Sequence, residues 1–136
     1  MDRKLSGTVK IVQHKGVEII ISDYSGLKGR ELTEGLKENT KAMVPIARAK
    51  RDCVLVSLFN DCLLDEDSAK YLVKVQKAME GFFVAYALVG MSGVQASAIK
   101  INRALRNSSI ATEFFDNDKD AMDWVADKYK TFANRT

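Results

Sequence analysis

Three short runs of this chain are mostly apolar, residues 17–22, 53–59 and 82–89, and residues 109–115 read as a fourth strand of parallel type. Each is a strand's length, and none alternates with polar residues as a strand with one wet face would. Such runs fit strands buried on both faces, the condition met in parallel sheets covered by helices on each side. The segments between and after them change to helical spacing. Leu32, Leu36, Met43 and Val44 share one side of the first, and Ala69, Leu72, Val73, Gln76 and Met79 line the second. Val94, Ala98, Ile101 and Leu105 mark a third, and Ala121, Met122, Trp124, Val125, Tyr129 and Phe132 a fourth.

Upstream, residues 5–13 begin with strand-like alternation, Gln13-His14-Lys15-Gly16 reads as a turn, and the pair predicts an antiparallel hairpin with 17–22. The order is β-β-α-β-α-β-α-β-α. It predicts an α/β fold in one domain over 1–136, a mostly parallel sheet of about five strands covered by about four helices. A chain of 136 residues buries about two-thirds of its unfolded surface, which suits one core.

Local signals set the boundaries. Asp65-Glu66-Asp67-Ser68 opens the second helix and Gly81 follows it, while Ser92 and Gln95 have capping-box spacing for the third. Pro45 is expected to close or kink the first helix, leaving Arg48 to Asp52 as a basic connector. Gly35, inside that helix, costs about 1 kcal/mol relative to alanine and leaves room for another element to come close.

Several classes are excluded. The longest apolar run, 82–89, falls far short of the ~20 residues of a membrane helix, so no integral membrane association is expected. The first seven residues have no apolar core behind their charges, unlike a secretory signal. Cys53 and Cys62, one opening a strand and one following it, would lie about 30 Å apart. A disulfide needs Cα atoms within about 7 Å, so both are read as free thiols, and the protein as cytoplasmic. Basic residues recur at Lys100, Arg103 and Arg106, but Asp118, Asp120, Asp123 and Asp127 oppose them, and the aromatics take core positions. That pattern is not a nucleic-acid platform.

In an open α/β sheet, ligands gather at loops leaving the carboxyl ends of the strands. Those loops nominate Tyr24, Ser25, Asn60, Asp61, Met91, Ser92 and Asp116 as binding residues. Gly90-Met91-Ser92-Gly93 is a candidate anion cradle, although it matches neither common phosphate-binding glycine pattern. Asp23, Asp61 and Asp116 could meet at a metal, but aspartate is also the ordinary residue for leaving a strand. The one histidine, His14, sits on the hairpin and is read as solvated. No catalytic set, metal or cofactor is expected, and the chain is read as a non-enzyme.

Three segments carry a family resemblance: Gly16-Val17-Glu18-Ile19-Ile20-Ile21-Ser22-Asp23-Tyr24-Ser25-Gly26-Leu27, Ala87-Leu88-Val89-Gly90-Met91-Ser92-Gly93, and Phe114-Phe115-Asp116-Asn117 followed by Ala121-Met122-Asp123-Trp124-Val125. Together they resemble the STAS-like family called SpoIIAA-like, similar in fold to anti-anti-sigma factors and often grouped with CRAL-TRIO lipid-binding domains. The resemblance implies a non-enzymatic regulatory or binding module. In anti-anti-sigma factors a Ser or Thr of an Asp-Ser-Ser-Gly-like loop is phosphorylated, whereas the matching loop here, Asn60-Asp61-Cys62-Leu63, has neither hydroxyl nor glycine. The expectation is a homodimeric module that engages a regulatory protein partner through its strand-end loops. The alternative is a small apolar or lipid ligand held near Leu63, Leu64 and Met91.

Overall fold

The computed structural model describes residues 3–6, 8–91 and 109–134. Six strands form one sheet in sequence order: β1 (Arg3–Ser6), β2 (Val9–His14), β3 (Val17–Asp23), β4 (Cys53–Leu58), β5 (Phe83–Val89) and β6 (Ala111–Phe115). β1, β2 and β3 pair antiparallel, and β3 to β6 pair parallel. Three helices accompany them among the described residues: α1 (Arg30–Lys50), α2 (Glu66–Met79) and α3 (Asp118–Asn134). The expected helix over 92–106, with its Ser92 cap and its Lys100, Arg103 and Arg106 stripe, lies outside the described residues.

The α/β class and the hairpin followed by parallel strands are as the sequence predicts. The sheet gains a strand because residues 5–13 do not form one element. Arg3 lies opposite Ile11 and Ser6 opposite Val9, so the chain reverses between β1 and β2. His14 ends β2, and the next turn narrows to Lys15 and Gly16, both at positive φ. Pro45 neither closes α1 nor marks its end; the helix continues to Lys50 and absorbs most of the basic connector. Pro45 is exposed while Met43 and Ala47 on either side of it are buried, so the core-facing stripe holds the helix across the missing hydrogen bond. Gly35 meets the Leu27 and Tyr24 side chains rather than another backbone.

Both faces of the central strands are covered. Ile20, Leu55, Tyr86 and Leu88 pack with Leu32, Leu36 and Met43 of α1 and Leu72, Val75 and Met79 of α2. On the other face Ile19, Ile21, Val54, Val56, Ala85, Ala87 and Val89 pack with Ala121, Val125 and Ala126 of α3. Alanines on both sides of this second seam let α3 lie close to the sheet.

A buried polar tie sits within the first core. The Asn39 side-chain amide donates to Ser22 Oγ at 2.7 Å, and its carbonyl accepts from the Thr8 hydroxyl at 2.9 Å. Ser22 and Asn39 are 0% and 4% exposed, so each needs the other as its partner away from water. Asn39→Ala is expected to lower the unfolding free energy by about 1–3 kcal/mol, because it removes the hydrogen bonds to both Ser22 and Thr8. Urea denaturation checks this, and an unchanged midpoint would show that the tie contributes nothing.

Candidate functional site

β3, β4, β5 and β6 end side by side, and the loops that leave them are stitched by main-chain hydrogen bonds that prolong the sheet. Tyr24 N–H donates to Leu58 O at 2.8 Å, Gly26 N–H to Asn60 O at 2.9 Å, and Phe59 N–H to Val89 O at 2.8 Å. Gly90 N–H reaches Phe115 O at 3.0 Å and closes the row. Further out, Leu63 N–H donates to Leu27 O at 3.3 Å, and Leu63 O accepts from Gly29 N–H at 3.1 Å. The described loops named from sequence therefore converge at one rim, stitched first by backbone.

The helix starts are joined to the same rim. Ser68 N–H, in the first turn of α2, is capped by Asp65 Oδ1 at 2.8 Å, and the Ser68 hydroxyl lies 2.9 Å from Thr33 Oγ1 and 3.1 Å from Gly29 O. These bonds from Ser68 hold the Asp65 carboxyl below the usual carboxylate range. Gly29 opens α1 without a side-chain cap; Gly29 O receives Thr33 N–H and the Ser68 hydroxyl instead.

Within this rim the nominated residues have different fates. Tyr24 is 2% exposed and stacks on Phe59 with ring centroids 5.0 Å apart. Burial pushes its hydroxyl up to about 12, against the pull of hydrogen bonds with Ser22 and Asn39, so the phenol belongs to the core tie. Ser25, Asp61 and Asp116 are exposed. Ser25 N–H donates to Asp23 Oδ1 at 2.9 Å, and Asp61 takes a left-handed backbone, φ 58°, that aspartate tolerates better than most residues. Asn60 is half-buried with its side-chain amide laid over Gly90, and half-buried Met91 packs against the α1/α2 core. Ser92 lies outside the described residues. Cys62, a free thiol, donates to Tyr24 O at 2.8 Å, and burial raises its pKa. Among the described residues no three His, Cys, Asp or Glu side chains gather to hold a metal, so Asp23, Asp61 and Asp116 form no such group.

Sequence reasoning named Leu63 as a ligand contact without showing how far it is displayed, and it missed a charge cluster altogether. Leu63 is 59% exposed, the one large hydrophobic so displayed among the described residues, although the loop carrying it is tied on both sides. A leucine in a loop carries no local sign of whether it is covered. The charge cluster is remote from the rim. His14 Nε2 lies 2.7 Å and Lys15 Nζ 3.2 Å from Asp123 Oδ1, and Lys119 Nζ lies 2.9 Å from Oδ2. His14 is therefore a clasp between the hairpin and α3 rather than a solvated side chain. Hydrogen bonds from His14, Lys119 and Lys15 hold the Asp123 carboxyl far below the usual carboxylate range. His14 and Asp123 are 109 positions apart in the chain, beyond any local pattern.

A cavity of about 290 Å³ opens on the α3 side of the sheet, lined by Lys10, Val12, Ile21, Val56, Leu58, Asp118 and Met122. It lies at the lower limit of ligand pockets, which run from about 300 Å³, and its lining differs from the predicted Leu63, Leu64 and Met91. No described helix is long and apolar enough to cross a membrane.

No protein-family model matches the sequence, and no curated protein matches it significantly. Among solved structures, the chain is similar to an uncharacterised protein of the DUF3478 family from Shewanella loihica PV-4, which has a SpoIIAA-like fold. The two share 17% identity with a TM-score of 0.58, over 86% of this chain and 91% of the other. The chain thus has the SpoIIAA-like fold that the three sequence segments suggest.

Two outcomes test this geometry. A Cβ at Gly90, where φ is +83°, would overlap the Asn60 side-chain oxygen and come within 3.0 Å of Asn60 N. Gly90→Ala is expected to destabilise by about 2–4 kcal/mol in urea, from backbone strain plus overpacking. For the clasp, a lowered folded pKa means that its stabilisation is complete above the unfolded aspartate value, about 3.9, and fades as pH falls below it. The Tm advantage of the wild type over Asp123→Asn should hold steady from about pH 5.5 to pH 4.5 and shrink towards pH 2.5. A gap that widens on acidification would refute the assignment.

Proposed function

We propose that this chain is a cytoplasmic, non-enzymatic interaction module that recognises a protein partner, a second copy of itself included, through the rim at the carboxyl ends of β3, β4, β5 and β6. The supporting observation is Leu63, 59% exposed on a loop that main-chain bonds to Leu27 and Gly29 hold in place. Preorganised apolar side chains ringed by polar ones make efficient anchors, because little entropy is lost when a partner covers them. Asp61, Ser25 and Asp116, all exposed along the rim, supply such a polar surround. The rim's inward groups, Tyr24 and the Cys62 thiol, are already engaged in holding the loops. That division between a bonded interior and a displayed edge suits recognition better than chemistry.

The second reading, a small apolar ligand, draws support from the cavity beside Leu58 and Met122. Native mass spectrometry of protein purified from its own host separates the two: a co-purifying apolar molecule favours the ligand, and a bound polypeptide favours the module.

The direct test places a photo-crosslinking residue at Leu63 and, as a control, at Gln13 on the far hairpin. A discrete protein adduct from position 63 alone is expected. Leu63→Asp should abolish that partner's co-purification while changing stability by no more than about 0.5 kcal/mol, as exposed substitutions usually do. Equal adducts from both positions, or none from either with a monomer in solution, would remove the proposal.

A further inference from the structure

The outer surface of the α1/α2 layer carries a second feature, on a different side of the molecule from the rim. A groove of about 430 Å³ runs between the two helices, lined by Lys37, Thr40, Lys41, Val44, Pro45 and Tyr71. Its floor is apolar and its edge is basic. Positive charge continues beyond it: residues 39–51 hold Lys41, Arg48, Lys50 and Arg51, and residues 68–79 hold Lys70, Lys74 and Lys77, with no Asp or Glu in either stretch. Lys50 pairs with Glu18, Lys70 with Glu66 at 3.1 Å, and Lys37, exposed at the groove's edge, with Glu34 at 3.7 Å. Among the described residues Lys41, Lys74 and Lys77 take part in no ion pair, and Arg48 rests on the Phe82 ring.

Two ordinary explanations fall short. Basic residues in a helix's last turn offset its dipole, but Lys37, Lys41 and Lys74 lie one or more turns before the ends of α1 and α2. A solvated helix face accounts for lysines, yet not for Val44, Pro45 and Tyr71 lining a concave slot between them. Pro45 adds a polar anchor, because it brings no amide hydrogen to the carbonyl of Lys41 one turn earlier, on the exposed side of the helix.

We infer that this groove docks an acidic amphipathic helix of a partner protein. Apolar side chains of the partner would lie on Val44, Pro45 and Tyr71, with its Glu or Asp residues against Lys37, Lys41 and Lys74. Charge complementarity selects the sign, and concavity selects the shape: an anionic membrane is broad and flat, whereas a helix ridge fills a slot between two helices. Nucleic acid would leave the apolar floor uncovered.

The test uses a labelled helical peptide with a Leu stripe and Glu elsewhere, its counterpart with Lys for every Glu, and vesicles of phosphatidylcholine with phosphatidylserine. Fluorescence anisotropy should show saturable binding of the Glu peptide, weakened by added salt, and none of the Lys peptide. Amide shifts should move at Lys41, Val44 and Tyr71. Lys37→Gln/Lys41→Gln, exposed changes that preserve helix propensity, should weaken binding about tenfold, a loss of about 1.4 kcal/mol. Lys128→Gln/Lys130→Gln on α3 should leave it unchanged. Binding of both peptides alike, insensitivity to the α1 pair, binding to vesicles alone, or self-association of the protein through this face in place of peptide binding would each overturn the inference.

Discussion

Everything in this molecule depends on β3, β4 and β5 being apolar on both faces. Val56 and Leu55 are neighbours in one strand, and each is at most 1% exposed, on opposite sides of the sheet. Neither side chain can reach water, so two layers of helix are obligatory. α1 and α2 supply one and α3 the other, and α3 has to cross behind the sheet after β6 to do so. Hydrophobic burial at roughly 25 cal/mol per Å² makes an uncovered face of such strands untenable. The covering then fixes where the loops emerge, because parallel strands joined through helices all deliver their carboxyl ends to one side.

That geometry also sorts charge. α1 and α2 start at the rim and finish at the far end of the sheet, so their aligned dipoles point alike. Glu31, Glu66 and Asp67 occupy first turns near the rim, while Arg48, Lys50 and Lys77 occupy last turns. α3 repeats the acidic start with Asp118 and Asp120 but has no basic residue in its last turn. A net charge of only +3 thus averages over the opposite signs that the two ends of α1 and of α2 carry.

Much of this architecture is legible in the sequence because its causes are local. The runs at 53–59 and 82–89 become β4 and β5 nearly to the residue, and Asp65 caps α2 as its position before an acidic first turn predicts. The failures share a different cause, distance along the chain. Tyr24 sits in Asp23-Tyr24-Ser25-Gly26, a string that reads as an exposed turn, yet Phe59 and Asn39 draw it into the core. The break between β1 and β2 is visible only once Arg3 has found Ile11. Pro45 misleads in the opposite sense: its local effect is real, but Met43 and Ala47, anchored in tertiary contacts, outweigh a cost of about 3 kcal/mol. At the rim, sequence names the loops that converge, since strand ends dictate them. It cannot say which side chains face out, because that follows from main-chain stitching between loops tens of residues apart.

The buried tie between Asn39, Ser22 and Thr8 shows how the core reaches the rim. A purely apolar contact between α1 and β3 would tolerate sliding by a fraction of a turn, since dispersion is weakly directional. A side-chain amide that must satisfy both Ser22 Oγ and the Thr8 hydroxyl admits one axial position and one rotation of the helix. With α1 so placed, Gly29 is held where its carbonyl can meet the Ser68 hydroxyl and its N–H the Leu63 carbonyl. The tie also enlists the Tyr24 hydroxyl, whose ring supports Phe59 at the base of the β4–α2 loop. Loosening one buried asparagine would therefore be felt at an exposed leucine 24 positions along the chain, through hydrogen bonds rather than through any contact between the two.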